Sequence, residues 1–148
     1  MRKLIQTIFI PLILMNSPAM ADTKGSALDV AHAWVSAVNR QDIDGIVNTF
    51  STDPGFFGTT TKTLISDAQG VRQYFANVIQ AYGPVKVELG QVTVTELSVD
   101  SAVITGFDRW KVTVNGAPVE AIGRISMAVA VRNGQWRIVS FHRSAMPN

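Results

Sequence analysis

Arg124, His142 and Arg143, with Arg109 further upstream, are the residues whose types best suit ligand binding. A guanidinium presents a rigid fork of donors that takes a carboxylate through two parallel hydrogen bonds. An imidazole can serve as a general base, a proton switch or a hydrogen-bonded core group. Catalysis by proton transfer asks for more: a buried carboxylate base and an acid or tyrosine donor converging on one cavity. Asp108, Tyr74 and His142 are the candidates for those roles. Most other acids cluster in turns (Asp42, Asp44, Asp53, Asp67, Asp100) or on outward strand positions (Glu88, Glu96, Glu120). The run Thr59-Thr60-Thr61 could add hydroxyls near a cavity mouth. No Ser-His-Asp order, glycine-rich phosphate loop or Glu/His metal motif occurs. With two histidines, no cysteine, and His32 lacking a partner at ligand spacing, neither a metal nor a cofactor is expected.

A strand must present His142 and Arg143. Trp136 to Phe141 alternate with the period of two and the aromatic and β-branched composition of a β-strand. Asn133-Gly134 precedes it, a hairpin turn in which both residues accept positive φ. A regular ladder across that turn pairs Val131 with Trp136, Val129 with Ile138, Met127 with Ser140 and Ile125 with His142. Arg124 then lies opposite Arg143, a like-charge pair that needs an acid or bound anion between its members. On such a ladder His142 and Arg143 point to opposite faces unless a bulge intervenes.

Upstream, the chain reads as helices first and strands later. Ser26 to Arg40 predicts a helix with Ser26 as N-cap and Ala27, Val30, Ala31, Trp34, Ala37 and Val38 on one face. Ile43, Ile46, Val47 and Phe50 suggest a shorter second helix, followed by an extended piece at Phe56-Phe57-Gly58-Thr59. A third helix runs from about Asp67 to Tyr82, with Ser66 or Asp67 as cap, and Gly83-Pro84 stops it. From Val85 the period switches to two, giving four strands separated by turns that include Asn115-Gly116 and Asn133-Gly134. Three helices followed by a strand meander predict an α+β fold, with the helices on one face of an antiparallel sheet.

The N-terminus addresses the compartment. Arg2 and Lys3, the apolar stretch Leu4 to Leu14 and the Ala19-Met20-Ala21 site read as a secretory signal spanning residues 1–21. The mature single domain is then 22–148, placed in a periplasm or outside the cell. Removing the two basic residues of the signal from the chain's 13 Lys and Arg balances them against the 11 acids. That balance gives no reason to expect nucleic acid or a membrane surface as partner. The absence of cysteine excludes disulfides and thiol catalysis. Only 16% of the chain is charged, and the outer sheet face offers Val, Thr and Phe. Such a face suggests self-association.

The segment from Arg132 to Pro147, with its Gly134, Trp136, apolar strand, His142 and Ser144 before a proline, resembles the C-terminal hairpin of the calcium/calmodulin-dependent protein kinase II association domain. It is also similar to the SnoaL-like branch of the nuclear-transport-factor-2-like superfamily. The likeness extends over Trp34, Asp42 and Phe50 and over Gly70 to Phe75. The resemblance implies a strongly bent sheet of about four long strands and a short one, wrapped around the helices as a cone with an open mouth. It further implies homodimers built on sheet faces, with rings as a further assembly. In the kinase domain arginines project into the cavity; one corresponds to Arg143. A second falls at Asp108, beside Arg109, and a third near Met127, three residues after Arg124, so the kinase site is not reproduced. The cone hosts isomerases, dehydratases, cyclases and binding modules alike. The function expected is an exported small-molecule-binding or self-associating module, with a small carboxylate as ligand. The alternative is an isomerase, cyclase or dehydratase acting on a small organic substrate.

Overall fold

A computed structural model describes residues 22–147. The predicted signal at residues 1–21 lies outside them. The chain runs α1 (Thr23–Asn39), α2 (Ile43–Asn48), β1 (Phe50–Phe57), α3 (Ala68–Tyr82), β2 (Lys86–Ser98), β3 (Ser101–Val114), β4 (Ala117–Arg132) and β5 (Gln135–Ala145). The strands form one curved, unclosed sheet in the order β1-β5-β4-β3-β2, antiparallel except where β1 runs parallel to β5. This is the α+β arrangement expected from the sequence.

Each helix starts on an Asp-x-x-Gly signature. The carboxylates of Asp22, Asp42 and Asp67 accept the backbone N–H of Gly25 at 3.1 Å, Gly45 at 2.8 Å and Gly70 at 2.7 Å. Each satisfies a donor that the first helical turn cannot. Asp22, not Ser26, therefore caps α1, so that helix begins three residues before the predicted start. The Gly45 N–H, aided by Arg40, holds the Asp42 carboxyl below its usual value. Phe50 opens β1 rather than closing α2.

Helix α1 lies against the concave face of the sheet and buries Trp34 completely. The Trp34 ring sits 5.3 Å from Phe141, 6.2 Å from Trp110 and 6.4 Å from Phe75, centroid to centroid. Phe56 stacks on Phe141 at 4.9 Å, so α1, α3, β1 and β5 share one aromatic core. Offset and edge contacts of this kind add to the burial of large apolar area.

The β4–β5 register departs from the regular ladder at one residue. Val131 pairs with Trp136 and Val129 with Ile138 as expected, but Ser140 then pairs with Ala128. Val139 is the extra residue of a β-bulge, and everything beyond it is shifted by one. Phe141 faces Met127, His142 faces Ser126, Arg143 faces Ile125 and Arg124 faces Ser144. The expected pairs Met127–Ser140, Ile125–His142 and Arg124–Arg143 do not form. The bulge lets Ile138, Phe141 and Arg143 all face the concave side, a spacing a flat strand cannot provide.

Candidate functional site

Arg143 leaves β5 on the concave face and crosses β4 to reach Asp108 on β3. It can do so because β4 has glycine at the crossing point. Gly123 pairs with Asp108, and a Cβ there would stand 2.5 Å from Arg143 Nη2 and 2.8 Å from Asp108 Oδ1. Arg143 Nε donates to both carboxylate oxygens of Asp108, at 2.9 and 2.8 Å. Its Nη1 donates to Thr59 Oγ1 at 2.7 Å and its Nη2 to the Ala121 carbonyl at 3.3 Å. The Trp110 indole N–H completes the carboxylate by donating to Oδ2 at 2.8 Å, while its ring lies 5.5 Å from the guanidinium carbon. The Asp108 side chain is fully enclosed and that of Arg143 is 10% exposed. Enclosed charges are tolerated only when paired and hydrogen-bonded in this way.

Tyr74 of α3 forms the opposite wall. Its ring packs edge-on to Phe56 at 4.9 Å and covers Gly58, where any Cβ would run into the phenol. Burial pushes the Tyr74 hydroxyl up from its usual pKa, an effect that hydrogen bonding with Thr60 and the charge of Arg143 oppose. The phenol thus stays protonated and able to donate throughout the neutral range. Between these walls lies a cavity of about 180 Å³, lined by Thr59, Thr60, Tyr74, Val78, Tyr82, Trp110, Val112, Ala121 and Arg143. The lining is mostly apolar, with one guanidinium and a few hydroxyls.

Residues 28–148 match the SnoaL-like domain family. The chain belongs to that family. Solved structures of the nuclear-transport-factor-2-like fold superpose on it over most of their length. A Xanthomonas campestris protein named for the calcium/calmodulin-dependent protein kinase II association domain is 24% identical, with a TM-score of 0.75 over 84% of this chain and 87% of its own. A ketosteroid isomerase-like protein from Erwinia carotovora atroseptica is 17% identical, with a TM-score of 0.73 over 86% and 98%. A Streptomyces avermitilis protein of the NTF2-like family, named as a dehydratase, is 13% identical, with a TM-score of 0.75 over 85% and 98%. No curated protein matches the chain.

Within this SnoaL-like domain the structure divides the expected site residues. Of Arg124, His142, Arg143 and Arg109, Arg143 alone lines the cavity. His142 is exposed on the convex face, edge-on to Phe57 at 6.3 Å. Arg124 is exposed on that face, its Nε donating to Ser144 Oγ at 3.2 Å. Arg109 is there too, 3.3 Å from Glu120. The Val139 bulge turns Arg143 inward and His142 outward, whereas Arg124 faces outward by the plain alternation of β4, on the side opposite the buried Ile125 and Met127. Asp108 and Tyr74 do lie on the cavity side, but Asp108 meets Arg143 instead of His142, and it sits behind the guanidinium, not on the cavity wall. Among the described residues no group of three His, Cys, Asp or Glu could hold a metal ion.

Sequence reasoning missed Trp110, Gly123 and Gly58. Trp110 is two residues beyond Asp108, hence on the same strand face, and Gly123 breaks an otherwise side-chain-rich strand. Both signals were available. Substituting Gly123→Ala should force the guanidinium off Asp108 and cost about 3 kcal/mol, the scale of a broken buried ion pair. Urea denaturation measures this; a loss below about 1 kcal/mol would show that the crossing is not tight.

Proposed function

We propose that this SnoaL-like domain binds a small, largely apolar organic molecule carrying one acceptor oxygen, which Arg143 and Tyr74 receive at the cavity wall. The observation that carries the reading is the locked guanidinium. Asp108 holds Arg143 in one orientation through its Nε, and two of the four N–H groups on Nη1 and Nη2 are taken by Thr59 and Ala121. Two remain for a ligand. Few convergent polar groups in an apolar hollow are the usual make-up of a small-molecule site. An apolar cavity of roughly 150 Å³ accepts benzene, so about 180 Å³ suits a single substituted ring.

The carboxylate expected from the sequence is the weaker ligand on this geometry. Asp108 already neutralises Arg143, and a second anion would stand close to the first. A neutral carbonyl meets no such repulsion. Binding is also favoured over the isomerase, cyclase or dehydratase reading by the cavity lining. It offers donors from Arg143 and Tyr74 but no carboxylate or imidazole to take a proton.

A second part of the proposal is self-association through the convex sheet face. Phe107, Ile122 and Phe57 stand there 40%, 45% and 42% exposed, the first two on the adjacent strands β3 and β4 and Phe57 on β1, beyond β5. A second copy of the chain is the partner we propose for these exposed apolar side chains, which alternate with Arg109, Arg124 and His142 on the same face.

Two measurements check these readings. A thermal-shift comparison of acetophenone, benzoate and ethylbenzene should show acetophenone raising the melting temperature most, by the equivalent of about 2.7 kcal/mol at a hundredfold excess over Kd. Ala121→Leu, which fills the cavity while keeping the ion pair, should abolish the shift. No shift, or an equal shift in Ala121→Leu, would sink the binding reading, and benzoate binding best would reverse the ligand preference. Light scattering at micromolar concentration should give the mass of two chains, reduced to one by Phe107→Glu. A monomeric wild type would reject the dimer.

A further inference from the structure

At the far end of the β4–β5 hairpin, the structure places two more arginines around a second recess that shares no lining residue with the Arg143 cavity. This recess, of about 390 Å³, is walled by the end of α2, the start of β1, the first residue of α3 and the hairpin tip. Arg132 pairs with Gln135 and Arg137 with Ala130, so both arginines project from one face of the hairpin as diagonal neighbours. Diagonal positions are roughly 7–8 Å apart at the backbone, within reach of a common anion for side chains of this length.

The recess is unusual in its charge. Among the described residues, neither Arg132 nor Arg137 has a carboxylate within ion-pair distance; Arg40, Arg72, Arg109 and Arg143 each do, and Arg124, the other arginine without one, stands apart on the convex face. Arg132 Nη1 donates to its neighbour's carbonyl, Val131 O, at 3.0 Å. Arg137 donates to the Trp136 carbonyl at 3.2 Å and to the Gln135 side chain. A guanidinium carries five donors, so most of theirs are left over. Ser51, on the same wall, has a buried hydroxyl with no hydrogen-bond partner. A buried, unsatisfied hydroxyl costs free energy unless a partner arrives. No acid lines the recess. The closest acids along the chain are Asp53, next to Thr52, and Asp67, next to Ala68. Asp67 is engaged by the Gly70 N–H.

From this convergence we infer a binding site for a phosphate group, formed by Arg132, Arg137 and Ser51. Two guanidinium forks and a hydroxyl arriving from different elements suit a tetrahedral oxyanion better than a planar carboxylate. Lines of both charge and donor count point the same way, because a dianion neutralises two unpaired cations at once. The ligand supplies this phosphate either as the free ion or as a monoester.

Isothermal titration of the mature chain with inorganic phosphate and with glycerol 3-phosphate, at fixed ionic strength set with chloride, tests the site. One saturable equivalent is expected, weakened at least tenfold in the Arg132→Gln/Arg137→Gln double variant. Ser51→Ala, which should leave the fold intact, is expected to weaken it by a smaller factor. Ala121→Leu, which blocks the other cavity, should bind phosphate as wild type does. Tighter binding of the monoester identifies an esterified phosphate as occupant, and equal affinity identifies the free ion; both uphold the site. No heat above the chloride control, or undiminished binding in the double variant, overturns it.

Discussion

The ion pair between Asp108 and Arg143 is the interaction on which the concave face depends. It joins β3 to β5 across the glycine of β4, and through Thr59 it also ties the segment after β1 to the sheet. A buried pair of this kind contributes little net stability compared with apolar packing. What it supplies is position. Arg143 is long and has many rotamers, and an unanchored guanidinium would lose entropy each time it met a ligand. With its Nε fixed on Asp108 and its face near Trp110, that ordering is complete before any ligand arrives.

The aromatic core and the ion pair are coupled through the Val139 bulge. One extra residue moves Phe141 into contact with Trp34 and Phe56, and the same shift turns Arg143 inward two residues later. Packing and site geometry thus share one backbone irregularity. A strand without the bulge could bury Ile138 or Phe141 on the concave face, but not both. The large burial free energy of the two side chains keeps the bulge in place, and Arg143 follows.

Helix periodicity, the switch to strands near Val85 and the two Asn-Gly turns were legible in the sequence because they rest on local rules. The curved sheet followed from the resemblance of the C-terminal hairpin. The site was less legible. Arg143, Asp108 and Tyr74 stood among the candidates, yet their grouping depended on a bulge that no local pattern marks. A regular ladder therefore set His142 and Arg124 wrongly around Arg143. The parallel pairing of β1 with β5 is likewise non-local, and Phe50, apolar and in phase with α2, gave no sign that it begins a strand. Gly123 could have been read, since an isolated glycine inside a strand often marks a close approach.

A double-mutant cycle on Asp108→Leu and Arg143→Met, read by urea denaturation, tests the central claim directly. Each single change leaves one enclosed charge alone and should cost about 3–5 kcal/mol. The double variant, with both charges gone, should lose far less than the two losses added, giving a coupling on the order of 3 kcal/mol. Additive losses would mean that the two side chains do not meet in the folded protein, and the account of the concave face would be contradicted.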